Sequence, residues 1–324
     1  MDAVDLELLY HLDIDSRRPV KRIAALLGEH SEKINYRLNR LRKEGVIKRC
    51  YSEVNPWKVG YSSFKVYLQF QSVDKEKIDE MFSFLCQQCN VSWAAACLGR
   101  WDMIIEVLAK DRHDFYSTYS KFHKKFYDRI LCKEVGVTLE LVFLNKKWLC
   151  PQKPAISLSA MTGTPENLTD DKDLAILRRL TRDCREPIKK LSAEIGLPPT
   201  TVSQRIRNMT RKMVIPAFRT DLDLAKFGRV YCKSFVYLAG AEEDEVAKMV
   251  GYCIHHPNVT FLTRCLAPWD FEIEAHSPSF NEFTAMMSDL RNRFPHVVRN
   301  FEAVVINKET GSFSVFPFSE RGDE

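Results

Sequence analysis

Residues 31–47 of the chain read SEKINYRLNRLRKEGVI, a stretch with the periodicity of an amphipathic helix. Ile34, Leu38 and Leu41 recur at the spacing that places side chains on one helical face. The opposite face is polar, and together with its flanks it carries Glu32, Lys33, Asn35, Tyr36, Asn39, Arg40 and Lys43.

A shorter helical stretch precedes this one across a sharp turn. Residues 19–28 read PVKRIAALLG, and the turn at residues 28–30 leaves room only for a tight corner. Two helices joined by a short Gly-containing turn, the second of them basic on its outer face, form a helix-turn-helix. Residues 31–43 are therefore predicted to be a DNA recognition helix.

The composition of the 324 residues is that of an ordinary globular protein, with 45% hydrophobic and 28% charged residues. The net charge of +5 permits nucleic-acid binding but argues for it only where basic residues cluster. The sequence contains neither the roughly 18-residue apolar run of a membrane span nor a signal-peptide pattern. The ten cysteines lie mostly within apolar patterns, so reduced thiols and a cytoplasmic location are expected.

The chain contains an internal repeat with an offset of 168 residues and no gaps. Matching pairs include Asp5 and Asp173, Pro19 and Pro187, Gly28 and Gly196, Arg37 and Arg205, Trp101 and Trp269, and Phe126 and Phe294. This register indicates a tandem duplication. The predicted modules are a winged helix-turn-helix at 1–60, a ferredoxin-like module at 61–149, a linker at 150–170, and second copies of the two modules at 171–228 and 229–319. Short extended segments at 46–51 and 214–218 are predicted to form the wings.

The later part of each copy alternates apolar and polar residues, as strands do, and two helical stretches interrupt it. The resulting β-α-β-β-α-β order predicts a four-stranded antiparallel sheet with both helices on one face. Predicted strands are 64–70, 91–98, 103–108 and 135–143, then 231–238, 259–266, 271–275 and 297–306. The other face of each sheet is apolar and uncovered, so the two sheets are predicted to pack face to face. The fold class is α+β.

Several motifs carry a family resemblance: Asp5-Leu6-x-Leu8-Leu9, Arg37-Leu38-x-x-Leu41, Glu44-Gly45-Val46-Ile47, Asn55-Pro56 and Gly99-Arg100-Trp101-Asp102. With the module order, they resemble the Lrp/AsnC family of prokaryotic transcription regulators over nearly the whole chain, twice. The resemblance implies DNA binding, an amino acid or other small effector in the second module, and homo-oligomers. It implies effector contacts at Gly99, Trp101, Asp102, Trp269 and Asp270. The second copy departs from the motif because Ala267-Pro268 replaces Gly99-Arg100.

Basic residues cluster on the helical modules, as contact with phosphates requires. Residues 33–49 contain seven Lys or Arg and only Glu44 as an acid, and the second copy adds Arg205, Arg207, Arg211, Lys212 and Arg219. The predicted DNA-contacting residues are Lys33, Asn35, Tyr36, Arg37, Asn39, Arg40 and Lys43, then Thr200, Thr201, Ser203, Gln204, Arg205, Arg207 and Arg211. Arg37 and Arg205 lie near the inward edge of their helices, which favours phosphate contacts or an internal ion pair over base reading.

The outward residues of the two recognition helices differ between the copies. Tyr36, Asn39 and Arg40 stand in the first copy where Gln204, Arg207 and Asn208 stand in the second. Amide and guanidinium side chains read different bases. The chain is therefore predicted to read two unlike half-sites, about one helical turn (~34–36 Å) apart.

Other interpretations compete at particular residues. Asp102 and Asp270 have an equally plausible role as turn caps, and Trp101 and Trp269 as core residues. The Cys86-x-x-Cys89 spacing favours ordinary burial over a metal or redox site, since no second Cys or His pair lies nearby. No catalytic or cofactor motif is present, so neither catalysis nor a cofactor is expected.

Two alternative functions remain open. Sirohaem decarboxylases are similar in architecture, but they depend on a His and Tyr-Arg cluster on the strand before the turn. Here those strands read VSWAAACL (91–98) and VTFLTRCL (259–266), without His or Tyr. The other alternative is an architectural protein that binds DNA by charge with little sequence preference.

Overall fold

The computed structural model describes residues 1–310, so residues 311–319 of the last predicted module lie outside the described residues. The first helix-turn-helix module comprises α1 (Ala3–Ile14), α2 (Val20–Leu27), α3 (Ser31–Lys43) and strand β1 (Ile47–Ser52). Helix α2 ends at Gly28, which takes the left-handed conformation (φ 65°) that glycine adopts without strain. Helix α3, the predicted recognition helix, has the bounds predicted from the sequence, and residues 47–52 form a strand.

The ferredoxin-like module of the first copy follows directly. It comprises β2 (Ser62–Phe70), α4 (Lys75–Cys86), β3 (Val91–Gly99), β4 (Met103–Ala109), α5 (Arg112–Phe126) and β5 (Ile130–Leu144). The strand order is β5-β2-β4-β3, all antiparallel, as the β-α-β-β-α-β pattern predicts. Val66, Leu68 and Ile105 face the two helices and form a core with Phe82 and Phe122.

The connection between the copies contains a strand that the prediction of a linker missed. Strand β6 (Ser157–Thr162) pairs antiparallel with the end of β5. Met161 packs with Leu141 and Phe143 in a small buried cluster. The segment covers the free edge of β5, whose unpaired backbone groups would otherwise face solvent.

The second copy repeats the plan. Its elements are α6 (Asp171–Arg182), α7 (Ile188–Ile195), α8 (Pro199–Arg211), β7 (Phe218–Leu222), β8 (Val230–Leu238), α9 (Glu243–His255), β9 (Val259–Leu266), β10 (Phe271–Ser277), α10 (Phe280–Arg293) and β11 (Val298–Glu309). Helices α6, α7 and α8 form the second helix-turn-helix, and the later strands order as β11-β8-β10-β9. The α+β fold class and both copies of the module order are confirmed.

The predicted wings are wrong in one respect: each module contributes one strand, and the two strands pair with each other. β1 and β7 form an antiparallel two-stranded sheet in which Tyr51 lies opposite Arg219. These two residues are equivalents in the repeat, so a pseudo-twofold axis passes through their pair. The extended segments therefore join the two helix-turn-helix modules to each other. They do not form a separate hairpin on each module, as a wing would.

The two larger sheets also join at their edges. β3 pairs with β11, and β5 pairs with both β2 and β9, so eight strands close into an antiparallel barrel. Leu98 lies opposite Val305 in one seam, and Val137 lies opposite Leu266 in the other, which the repeat makes equivalent pairs. The predicted face-to-face packing is therefore accompanied by hydrogen-bonded seams, which remove the exposed sheet edges.

Aromatic side chains from both copies fill the barrel interior. Trp101 and Trp269 are fully buried, with ring centroids 6.1 Å apart. Tyr67 lies against Trp269 at 4.6 Å, and Phe235 lies against the same ring at 4.7 Å. The interior is thus one core shared by the two copies.

A buried ion network lies beside these rings. Lys65 and Lys233, which are repeat equivalents, both donate to Glu272 at 2.7 Å, and Lys233 also donates to Glu274 at 2.8 Å. Burial alone would raise the pKa of Glu272, but the charges of Lys233 and Lys65 lower it to about 2. Burial raises the pKa of Glu106, which accepts hydrogen bonds from two serine hydroxyls. These partners satisfy charges that would be very costly to bury alone.

The seams explain why the second copy has Ala267 where the first has Gly99. Gly99 has φ +137°, and a Cβ there would lie 2.7 Å from the carbonyl oxygen of Ala303, beside Val304. In the other seam the sizes are exchanged: Ala267 replaces glycine, and Gly136 lies opposite, where Val304 stands in the first seam. Each seam therefore pairs one glycine with one larger residue.

Replacing Gly136 with valine is expected to lower the free energy of unfolding by about 1–3 kcal/mol, because a Cβ there would lie 3.1 Å from that of Ala267. Adding Ala267→Gly should restore part of the loss, since the double variant reproduces the Gly99–Val304 pair. Urea unfolding of the two single variants and the double variant measures this coupling. Strictly additive losses would contradict the size exchange.

Candidate nucleic-acid interface

The recognition helix α3 buries one stripe and exposes the other. Ile34, Leu38 and Leu41 are at most 2% exposed and contact the core of the first module. Tyr36, at the centre of the outer face, is 68% exposed. An exposed aromatic side chain between amides and cations has no packing role here and is available to a partner.

The structure divides the predicted DNA-contacting residues into two groups. Nine are exposed: Lys33, Asn35, Tyr36, Asn39, Lys43, Thr200, Gln204, Arg207 and Arg211. Five are half-buried: Arg37, Arg40, Thr201, Ser203 and Arg205. DNA contact by all fourteen stays a prediction, and the side chains of the exposed group are the ones open to solvent, although Lys33 is paired with Glu29 at 2.7 Å.

Arg37 is held in an internal ion pair. Its guanidinium donates to Asp2 at 2.8 Å and to Asp5 at 2.7 Å, and these two aspartates form the capping box that begins α1. In the second copy Arg205 binds Asp170 and Asp173, the capping box of α6, in the same way. These arginines tie each recognition helix to the first helix of its module. Of the two roles predicted from the sequence, the structure supports the ion pair.

The two outer faces differ in how their polar groups are arranged. Arg40 in α3 bonds to the buried carboxylate of Asp5 at 2.5 Å, whereas its repeat equivalent in α8 is Asn208. On α8, Gln204 donates to Asn208 at 3.0 Å and accepts from Arg207 at 2.8 Å. The outer face of α8 therefore carries a hydrogen-bonded group of Gln204, Arg207 and Asn208. The outer face of α3 carries Tyr36 with the amides of Asn35 and Asn39.

Reciprocal contacts join the two helix-turn-helix modules about the pseudo-twofold axis. Arg17 donates to the carbonyl oxygen of Cys184, and its equivalent Arg185 donates to that of Ser16 at 2.6 Å. The hydroxyl of Ser16 lies 2.9 Å from the thiol of Cys184. An isologous contact of this kind gives the two recognition helices a twofold relation, as in dimeric regulators. The sequence signal was available, because the repeat aligns Ser16 with Cys184 and Arg17 with Arg185.

A second buried ion cluster lies where the helix-turn-helix modules meet the barrel. Asp13 at the end of α1 accepts from Lys146 at 2.6 Å, and Arg219 of β7 lies 3.6 Å from the same carboxylate. Arg219 is 1% exposed and also donates to the carbonyl oxygen of Leu144 at 3.1 Å. The prediction that Arg219 adds to the phosphate-facing charge is therefore wrong. Its role is to hold the module junction.

Glu53 lies in this junction and is fully buried. Its Oε1 accepts from the hydroxyl of Tyr51 at 3.1 Å, while its Oε2 has no hydrogen-bond partner among the described residues. Burial raises the pKa of Glu53 from 4.5 to about 7, against the opposing charge of Arg219. The side chain therefore titrates near neutral pH.

Stability is expected to depend on the proton of Glu53. The pKa of Glu53 is higher in the folded protein than in the unfolded chain. The stability that buried Glu53 contributes is therefore complete below about pH 4.5 and is lost as the pH rises through about 7. Between pH 5 and 8 the wild type should lose about 3 kcal/mol relative to Glu53→Gln. Urea unfolding of both proteins across this range checks the difference, and a difference independent of pH would contradict the assignment.

The predicted effector residues have structural contacts in both copies. Asp102 accepts from the backbone N–H of Phe70, and Asp270 accepts from that of Leu238, each at 2.7 Å. Trp101 and Trp269 lie in the barrel interior, and Gly99 lies in the β3–β11 seam. The core role of the two tryptophans is therefore present, whereas each aspartate bonds to a neighbouring strand and not to its own turn. Effector contact by all five residues stays a prediction.

The remaining sequence signals are resolved more simply. Cys86 and Cys89 are exposed, so the prediction of ordinary burial is wrong, because they fall beyond the inward-facing Leu85 where α4 ends. No cluster of His, Cys, Asp or Glu suited to a metal ion occurs within residues 1–310. None of the helices in this range has the length and apolar character that crossing a membrane requires.

Comparison with known proteins agrees with this arrangement. The model of the AsnC-type helix-turn-helix domain matches residues 1–42 and again residues 170–210. An uncharacterised HTH-type transcriptional regulator of Pyrococcus furiosus is 28% identical over 110 residues, which are 34% of this chain and 73% of the relative. The HTH-type transcriptional regulator FL11 of Pyrococcus furiosus is 27% identical over 114 residues, 35% of this chain and 74% of FL11.

A solved structure matches the tandem arrangement as a whole. The siroheme decarboxylase NirDL superimposes with a TM-score of 0.66 over 99% of this chain and 96% of that one, at 12% sequence identity. Identity this low shows the shared fold alone. The fold and the two matches define a tandem helix-turn-helix protein. The chain contains two AsnC-type helix-turn-helix domains, and the predicted resemblance to the Lrp/AsnC family is confirmed.

Proposed function

We propose that this chain is a sequence-specific double-stranded DNA-binding transcription regulator of the Lrp/AsnC type. The observation that carries the proposal is the twofold relation of two exposed, polar recognition helices, each at the surface of an AsnC-type domain. The names of the P. furiosus relatives support the same function. A cytoplasmic location, assembly into homo-oligomers and response to an amino acid or other small effector are parts of this proposal.

The reading of DNA rests on side chains of two chemical types. Asn39 and Gln204 can each form two hydrogen bonds with adenine, and Arg207 can do so with guanine. Lys33, Lys43 and Arg211 are exposed at the flanks of these residues, where they suit contacts to phosphate. This division favours sequence-specific reading over an architectural role, in which phosphate contacts alone would dominate.

The direct test is capture of sheared genomic DNA by the purified protein at near-physiological salt, followed by sequencing of the bound fragments. We expect a small set of enriched loci and, at fixed salt, specific affinity at least 1,000-fold above non-specific affinity (~10³–10⁷ is typical). Uniform recovery of the genome, with a ratio near one, would replace this proposal with the architectural one.

A siroheme decarboxylase activity is the second candidate, because the fold of NirDL matches the whole chain. Against it, the strands that precede the two turns carry Trp93 and Ser92 in β3 and Thr263 and Arg264 in β9, with neither His nor Tyr. A tetrapyrrole absorbance band in the purified protein would favour the enzyme. We propose that the chain is not an enzyme.

A further inference from the structure

A cavity of about 250 Å³ opens on the outer side of the β5–β9 seam, beneath helix α9. Its walls are apolar, with Val142 from β5, Val250 and Ile254 from α9, and Leu262 and Phe271 from β9 and β10. It is larger than the roughly 150 Å³ that suffices to hold benzene in an engineered apolar cavity. The cavity lies between the two copies, because β5 belongs to the first copy and α9 to the second.

The equivalent position in the first copy is filled. Phe82 stands there in place of Val250 and is 4% exposed. Lys308 covers its ring, with the ammonium 4.7 Å from the ring centroid, and pairs with Asp79 at 2.5 Å. Asp79 is the equivalent of Ala247, which lines the open cavity. Smaller residues thus open in one copy a space that the other copy closes.

The charges at the mouth are also reversed between the copies. Glu140 lines the open cavity where Lys308 stands in the filled one, and Glu243 stands where Lys75 does. Arg264 is already bound by Glu243 through two hydrogen bonds, at 2.5 and 3.0 Å. Glu140 is half-buried and lies opposite Arg264 in the β5–β9 pairing, so the two side chains interact through their charges, but neither a hydrogen bond nor a salt bridge joins them in the described residues. Two carboxylates and one guanidinium therefore stand at the mouth, and they leave a net negative charge above apolar walls.

We propose that this cavity binds a small molecule with a protonated amine and a compact apolar tail. The amine is held by Glu140, and the tail lies against Val250, Leu262 and Phe271. Simple aliphatic amines and apolar amino acids share this chemistry. An ammonium on a partly buried carboxylate forms a charge-assisted hydrogen bond, which is stronger than a neutral one.

The position of the cavity links an occupant to the DNA-binding modules. Val142 is two residues from Leu144, whose carbonyl oxygen accepts from Arg219 of β7. Lys146, two residues further, binds Asp13 at the end of α1. An occupant that shifts β5 therefore acts on contacts to both helix-turn-helix modules. This coupling rests on the proposed function, whereas binding in the cavity does not.

Isothermal titration of the full chain, without DNA, tests the site with 3-methylbutylamine and 3-methylbutanol as the probes. The amine is expected to bind at least tenfold more tightly than the alcohol. Glu140→Gln should remove that preference, while Glu134→Gln, on the same strand outside the cavity, should keep it. Equal binding of the two probes, or no binding of the amine, would overturn the proposal.

Val250→Phe provides an independent variant, because it introduces the residue that the first copy carries. It should bind the amine at least 30-fold more weakly while unfolding at the same or a higher urea concentration. Competition by leucine would assign amino acids as the occupant, and its absence would assign simple amines. Unchanged amine binding in Val250→Phe would place the amine elsewhere and contradict the site. DNA affinity measured with and without the amine then tests the coupling separately.

Discussion

Replacing Lys233 with methionine is expected to lower the free energy of unfolding by about 3–5 kcal/mol. The side chain is fully buried between the carboxylates of Glu272 and Glu274, and its ammonium bonds to both. Without it, Glu274 retains only the hydroxyl of Tyr231 as a side-chain donor among residues 1–310, so its carboxylate stays buried without a countercharge. Urea unfolding at neutral pH, followed by circular dichroism, measures the loss.

Lys65→Met is the matched control, because Lys65 is the repeat equivalent and bonds to Glu272 alone. It should cost less, since Glu272 keeps Lys233. Converting Lys233, Glu272 and Glu274 together to apolar residues of similar volume should recover much of the stability. Replacing a whole buried ion network costs less free energy than removing one of its charges and leaving the others unpaired. A Lys233→Met variant within 1 kcal/mol of wild type would contradict the desolvated pairing.

Replacing both Gln204 and Arg207 with alanine is expected to weaken binding to the selected DNA site by at least 100-fold. Each base-reading contact contributes about 1–3 kcal/mol. The two side chains form one hydrogen-bonded group on the exposed face of α8, so both are needed to present it. Fluorescence anisotropy at fixed salt, with the selected duplex and a scrambled duplex, measures the change.

Lys248→Ala is the control for charge alone, since this exposed lysine lies on α9 in the ferredoxin-like module. It should leave affinity for both duplexes within twofold of wild type. A double α8 variant that binds the selected duplex as tightly as wild type does would remove the second half-site from the account.

The repeat made much of the fold accessible from the sequence. The periodicity of Ile34, Leu38 and Leu41 gave the bounds of α3, and strand β9 has the predicted bounds. The pairing of β1 with β7 was not accessible, because a short extended segment after a helix is compatible with a local hairpin or with a partner strand. The β3–β11 and β5–β9 seams were missed for the same reason, because the sequence of an edge strand does not indicate which other strand it pairs with.

The candidate interface was predictable where geometry depends on local spacing. The inward position of Arg37 and Arg205 follows from helical angle, and their acidic partners are the capping residues 35 and 32 positions earlier. Burial of Arg219 was not predictable from charge alone. A basic residue near a recognition helix gives the same sequence pattern whether its side chain faces DNA or pairs with a buried carboxylate. The cavity beneath α9 follows from the substitution of Phe82 by Val250, which the repeat alignment contains.

The central claim is that one chain presents two different recognition helices in a twofold arrangement. Selection from a library of random duplex DNA tests it most directly, using the full chain at near-physiological salt. We expect an enriched site with two unlike halves centred about one helical turn apart (~34–36 Å). Enrichment of perfect palindromes alone, or no enrichment over the starting library, would contradict the account.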